Sequence, residues 1–245
     1  MIPLKDDVPR YSPPIVNALL IATNVLVYLF QSSLPRSAQL EFVRTFALVP
    51  ARLLAGVGWT AAHPSYAHGH GVPLEIVLLP ILTCLFLHAS FWFHLLPNMW
   101  FLWVFGRNVE EALGRFPYLV FYLVCGVTSV LTQTFADVSS TVPMVGASGA
   151  IAGVMGGYFV LYPRARVLML VHFLFIFFLW LPAWAVLGYW FVLQTLSGVG
   201  SALVTSGHGS SAGGVDFWAH VGGFLAGVLL VRLFPSRTRR YRYGY

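Results

Sequence analysis

Charge is scarce in this chain. Only 9% of its 245 residues are Asp, Glu, Lys or Arg, against about 25% in a soluble domain. That is too little to dress a water-facing surface, which excludes an ordinary soluble globule. Cysteine is scarcer still, at two residues. Cys84 and Cys125 both lie in apolar runs, which favours core packing over a disulfide or metal site. There is no convincing cleavable signal peptide. The first apolar run begins at Ile15, behind Lys5, Asp6, Asp7 and Arg10, and is long enough to span. The two aspartates also argue against an organellar transit peptide.

Apolar and small residues are abundant. The chain is 58% hydrophobic and holds 23 glycines and 15 prolines. Small residues let membrane helices approach closely, which suits a compact bundle. The formal charge of +6 does not point to nucleic acid. The basic residues flank apolar runs and gather at Arg237, Arg239, Arg240 and Arg242, as the positive-inside bias requires.

A span needs about 20 largely apolar residues. Six stretches qualify: Ile15 to Phe30, Ile76 to Phe105, Phe116 to Phe135, Val145 to Leu161, Pro182 to Val204, and Phe217 to Phe234. The expected fold is therefore an all-α polytopic membrane protein, a six-transmembrane-helix bundle. Residues 1–14 form a cytoplasmic N-terminal segment, 15–235 the membrane domain, and 236–245 a basic cytoplasmic tail. The stretch Val167 to Trp180 is apolar but short, and reads as an interfacial or hairpin-like segment. A seventh span there is the rival reading. With the N-terminus inside, Arg36, Arg44 and Arg52 fall outside, and the other eleven of the 14 basic residues fall inside. A seventh span would put the basic tail outside, against the rule.

The longest connection, Gln31 to Pro73, suits a loop lying partly in the membrane interface. Its His63, His68 and His70 lack a cysteine or close carboxylate, so exposed histidines are favoured over a metal site. No metal or cofactor is expected. Ser197 to Gly214 is rich in Gly and Ser and reads as a mobile outer loop.

Two reactive groups fall inside the apolar segments. Ser148 lies in Gly146-Ala147-Ser148-Gly149, and His220 in Ala219-His220-Val221-Gly222-Gly223. An ionisable group within a span is costly and marks function. The charge-based topology places both at the same shallow extracytoplasmic depth. Gly149, Gly153 and Gly157 on one helix, and Gly223 and Gly227 on the other, supply rows along which the helices can approach closely. A serine needs a base within about 2.6–3.2 Å. The plain alternative is that Ser148 is merely one more small residue; His220 at matched depth weighs against it. His94 and Asn98, four apart on one helical face, are candidate donors to an oxyanion, or else an interhelical polar clamp. Asp216 lies one turn before His220 and is expected at the surface, so the chemistry reads as a Ser–His dyad.

The run from Phe86 to Gly106 (FLHASFWFHLLPNMWFLWVFG), GASG at 146–149 and AHVGG at 219–223 resemble the rhomboid family of intramembrane serine proteases. The resemblance covers nearly the whole chain. It implies a six-helix core, Ser148 as nucleophile, His220 as general base, and His94 with Asn98 as oxyanion donors. It also implies cleavage of single-span membrane proteins near the extracytoplasmic face. The family's Glu-x-x-x-Gly feature is matched by Glu110 and Gly114, read as a structural cap at the cytoplasmic side. Three departures stand out. Five residues, not four, separate His88 from His94. Ala152 stands where many members carry a Tyr, so another aromatic, with Trp218 as the candidate, must orient His220. Trp59 is followed by Thr60 rather than Arg.

The leading expectation is an endopeptidase in the bilayer of a bacterial inner membrane, with both termini cytoplasmic. The first competitor is a non-catalytic rhomboid-like protein that binds membrane spans; such proteins lack the Ser or the His, and this chain keeps both. The second is a transporter or channel, which would need charges inside spans or internal repeats.

Overall fold

The computed structural model describes residues 2–58, 77–172, 176–208 and 216–234. His63, His68, His70 and the Arg-rich tail lie outside them. The order is β1 (Ile2–Asp6), α1 (Ile15–Ser33), α2 (Arg36–Phe46) and α3 (Pro50–Gly56). Then come α4 (Pro80–Phe86) and α5 (Phe91–Leu113), α6 (Arg115–Ala136) and α7 (Ser148–Leu161). β2 (Arg166–His172) and β3 (Ile176–Pro182) lead into α8 (Ala183–His208) and α9 (Phe217–Leu230). Among the described residues, α1, α6 and α8 are long and apolar enough to cross a membrane, and the α4–α5 pair makes a fourth if taken together. α7 and α9 are shorter apolar helices.

α7 is the centre. It is apolar on every side, and Gly149 to Tyr158 are all buried. A helix without a polar face belongs in a core. It packs against α9 and α6 most closely, with α5 and α8 completing the ring.

The stretch Ile76 to Phe105 is not one straight span. α4 and α5 meet at 99°, across extended backbone at Leu87 and Ser90. Such a break frees backbone groups that apolar surroundings cannot satisfy. Polar side chains take them up. Gln31 Nε2 donates to the His88 carbonyl at 3.0 Å, and the Ala89 N–H donates to His94 Nδ1 at 3.3 Å.

The N-terminal segment takes part in the fold. β1 pairs antiparallel with β2, Asp6 opposite Val167. β2 pairs with β3 in register from Arg166–Pro182 to His172–Ile176, so the described parts of Val167 to Trp180 are two paired antiparallel strands. The sheet sits at the C-terminal end of α7. Asp6 fixes it there. Its carboxylate takes the Arg10 guanidinium at 2.5 Å, the Tyr158 hydroxyl at 3.0 Å, and the Asn108 amide. Burial raises the Asp6 pKa, against the opposing pull of Arg10.

Glu110 acts at the same end. Its two carboxylate oxygens accept the Val16 N–H at 3.0 Å and the Asn17 N–H at 2.7 Å. The first turn of α1 has no cap of its own, so Glu110, 3% exposed, satisfies donors that would otherwise be orphaned. Gly114 follows at φ 89°, a conformation that favours glycine, and turns the chain into α6. Glu110→Ala should destabilise the bundle by about 2 kcal/mol. Denaturation in detergent checks this, and an unchanged midpoint would remove the cap assignment.

α8 differs from expectation at its end. The helix continues to His208, where a mobile loop from Ser197 was expected. Gly198 explains part of this, because Phe217 and Trp218 lie against it and hold that turn to α9.

Candidate active site

Ser148 is the first residue of α7. The chain reaches it through Gly146, at φ 129°, which L side chains rarely adopt. The Gly146 N–H donates to the Cys84 carbonyl at 2.8 Å. A Cβ on Gly146 would lie 2.5 Å from His94 Nε2. Glycine therefore serves both the turn and the close approach of the His94 ring.

His220 lies in the first turn of α9, its N–H on the Asp216 carbonyl at 3.2 Å. Glycines bring α9 onto α7. A Cβ on Gly223 would collide with the Gly149 carbonyl oxygen, and one on Gly227 with that of Gly153. Gly149, Gly153 and Gly157 form one row: a Cβ on each would meet Ser129, Cys125 or Phe121 of α6 first, and then the chain of α9 or Val231 just after it; beside the row, Gly156 meets the Phe224 carbonyl.

The two reactive groups meet. Ser148 Oγ is 2.8 Å from His220 Nε2, and His220 Nδ1 is 2.8 Å from Gln194 Oε1. An amide oxygen only accepts, so the proton sits on Nδ1. Nε2 then carries the lone pair and accepts from the Ser148 hydroxyl. Trp190, one turn before Gln194 on α8, places its ring 5.8 Å from the imidazole. The aromatic beside His220 is thus Trp190, not Trp218. Sequence reasoning missed both α8 residues. The available signal was a lone amide in the apolar run Trp190 to Leu196, four residues after a Trp.

His94 and Asn98 come from α5. The Ala89 N–H on Nδ1 leaves the proton of a neutral His94 on Nε2, the atom facing Gly146. Asn98 is 9% exposed, and its Nδ2 has no hydrogen-bond partner among the described residues. His88 is fully buried, with its ring edge-on to His94 at 4.9 Å, so it packs behind the donor. Asp216 is not at the surface. It is partly buried and lines a small cleft with Gly146, Ser148 and Ser129, and burial pushes its carboxyl up to about 6. From α6, Gln133 Oε1 accepts the Ala219 N–H at 3.2 Å and anchors the start of α9. Among the described residues no three His, Cys, Asp or Glu side chains are grouped to hold a metal.

The family profile for the rhomboid domain matches residues 77–237. The chain is 32% identical to "Rhomboid protein 1, mitochondrial" of Saccharomyces cerevisiae over 155 residues, 62% of this chain and 40% of that protein. It is 32% identical to "Rhomboid-like protein 11, chloroplastic" of Arabidopsis thaliana over 162 residues, 64% of this chain and 53% of that one. With "Presenilin-associated rhomboid-like protein, mitochondrial" of Homo sapiens it shares 30% over 105 residues, 42% of this chain and 27% of the other. The matches thus cover about half or less of these relatives' lengths.

Proposed function

The chain belongs to the rhomboid family, and from that premise we propose that it is an intramembrane serine endopeptidase. The observation that carries the reading is the 2.8 Å contact of Ser148 Oγ with His220 Nε2, made by a histidine whose other nitrogen is already committed to an acceptor. Ser148 Oγ attacks the scissile carbonyl while Nε2 takes its proton. The developing oxyanion receives the His94 Nε2–H and the Asn98 amide. His220 then protonates the leaving amine, and water hydrolyses the acyl-enzyme by the same route in reverse. The reaction needs no metal or cofactor.

The protein is a membrane protein, and its six apolar segments form one bundle with the sheet on the cytoplasmic side. α7, at 14 residues, rises only about 21 Å, against about 30 Å of hydrocarbon. With its C-terminal end held at the sheet, Ser148 lies about 9 Å inside the opposite boundary. The substrates are single-span membrane proteins, cut near their extracytoplasmic end. A helical carbonyl is already bonded, so the substrate must unwind before attack, which helix-breaking residues favour. The relatives named above are mitochondrial or chloroplastic proteins, so the comparisons lend no support to a bacterial inner membrane for this chain. The non-catalytic reading, a binder of membrane spans, is disfavoured by a serine and a histidine held in contact.

A serine-reactive phosphonate should label Ser148 in membranes, and product mass spectrometry should map cuts to the outer part of the substrate span. Labelling elsewhere, or cuts in the cytoplasmic half, would overturn the reading. Asn98→Ala should slow cleavage roughly 10²–10³-fold, the usual effect of losing one oxyanion donor. An unchanged rate with a lowered melting point would make Asn98 an interhelical clamp.

A further inference from the structure

Serine hydrolases commonly orient their histidine with a carboxylate. Among the described residues no carboxylate bonds to His220; its Nδ1 meets the amide oxygen of Gln194 at 2.8 Å. The placement of Gln194 is specific. On α8 its neighbours Val192, Leu193 and Leu196 are exposed apolar side chains. Gln194 is partly buried on the inward face, one turn after Trp190, which lies against the same imidazole. An amide among apolar side chains is costly without a partner. Its partner is the base.

We propose that Gln194 is the positioning residue of His220: its amide oxygen holds the proton on Nδ1 and so presents the Nε2 lone pair to Ser148. The inference rests on the Ser–His reading above and adds the group that makes His220 a competent base. Without an acceptor at Nδ1, the neutral ring is free to carry its proton on Nε2. In that tautomer nothing accepts the serine proton. Trp190 limits ring tilt, but an indole face offers Nδ1 no strong acceptor, so among the described residues it is Gln194 that selects the tautomer. An amide also suits the surroundings. A carboxylate would add a further ionisable group to a low-dielectric site and carry a large burial cost. The amide orients the ring with no charge of its own.

This arrangement has a distinguishing consequence. An amide oxygen leaves the imidazolium formed during attack without a counter-charge, whereas a carboxylate there would stabilise it. Gln194→Glu therefore keeps the acceptor and raises the affinity of His220 for a proton. The acidic limb of the kcat–pH profile should move to higher pH. Among the described residues the other titratable group acting on His220 is His94, from α5, and Asp216 lies one turn earlier on the same chain; both are present in every variant compared.

The test combines kinetics with nitrogen NMR on detergent-solubilised full-length protein. In wild type, the ¹⁵N signals of His220, assigned by their loss in His220→Asn, should show a protonated Nδ1. Gln194→Leu should shift that signal toward the other tautomer. It should lower kcat roughly 10–100-fold, the scale on which an orienting partner of an imidazole acts, with KM unchanged. Phosphonate labelling of Ser148 should slow by the same factor. Wild-type kcat and tautomer in Gln194→Leu would overturn the proposal. If Gln194→Leu fails to fold, an acidic limb unmoved in Gln194→Glu overturns it instead. A wild type that never labels at Ser148 would sink the protease reading, while the tautomer measurement still decides the role of Gln194.

Discussion

Ser148→Ala should abolish cleavage and leave the fold intact, with a fall of roughly 10⁴–10⁶-fold in kcat. His220→Ala should fall by a similar factor, and the double variant should be no worse than either single one. The expectation follows from geometry. One hydrogen bond of 2.8 Å joins the two groups, so removing either end removes the same function. Residues acting as one unit do not add. Turnover against a single-span substrate in liposomes, with melting temperature measured in parallel, checks it. Substantial residual turnover in Ser148→Ala would remove Ser148 from the role of nucleophile. Additive losses would show that the two groups act in separate steps.

Gly223→Val should cost both stability and activity. A Cβ at this position collides with the carbonyl oxygen of Gly149, which is backbone and cannot rotate away. α9 must then shift from α7, one residue from the nucleophile and three from the base. Overpacking of this kind costs about 3 kcal/mol, and the Ser148–His220 hydrogen bond lengthens with it. Gly223→Ala should show the same loss in smaller measure. The check is a melting curve beside the rate of phosphonate labelling. Normal melting together with normal labelling in Gly223→Val would show that the two helices do not depend on this contact.

The parts of this protein that were legible in its sequence are those the membrane makes expensive. Ser148 and His220 stand out because polar groups in apolar segments need a reason. Glu110 stood out only through resemblance. Its actual work, capping α1 from another helix, needs coordinates, since the two elements are far apart in sequence. The 99° bend between α4 and α5 was hidden because hydropathy reads composition, and the stretch is apolar on both sides of the break. Gln31, which satisfies the His88 carbonyl there, is distant in sequence. The N-terminal strand was hidden for the same reason: Ile2 pairs with Leu170, and no local pattern announces a partner that remote. Gln194 leaves no local signature, because tautomer control comes across a helix interface, from a residue 26 positions before His220.

The Glu110 cap also sets an order of events in time. Glu110 bonds to backbone groups 94 and 93 residues earlier, at Val16 and Asn17. At about 5–20 residues per second of synthesis, α1 exists for roughly 5–20 s before its cap has been made. During that interval the free N–H groups at its start must be served by water at the membrane surface. The helix therefore enters the membrane with its end unsealed, and is sealed only when α5 arrives. A chain lacking the carboxylate should insert α1 at the normal rate and falter later, when the helices assemble. Pulse-labelled chains would show this as an undelayed first insertion followed by a prolonged protease-sensitive stage.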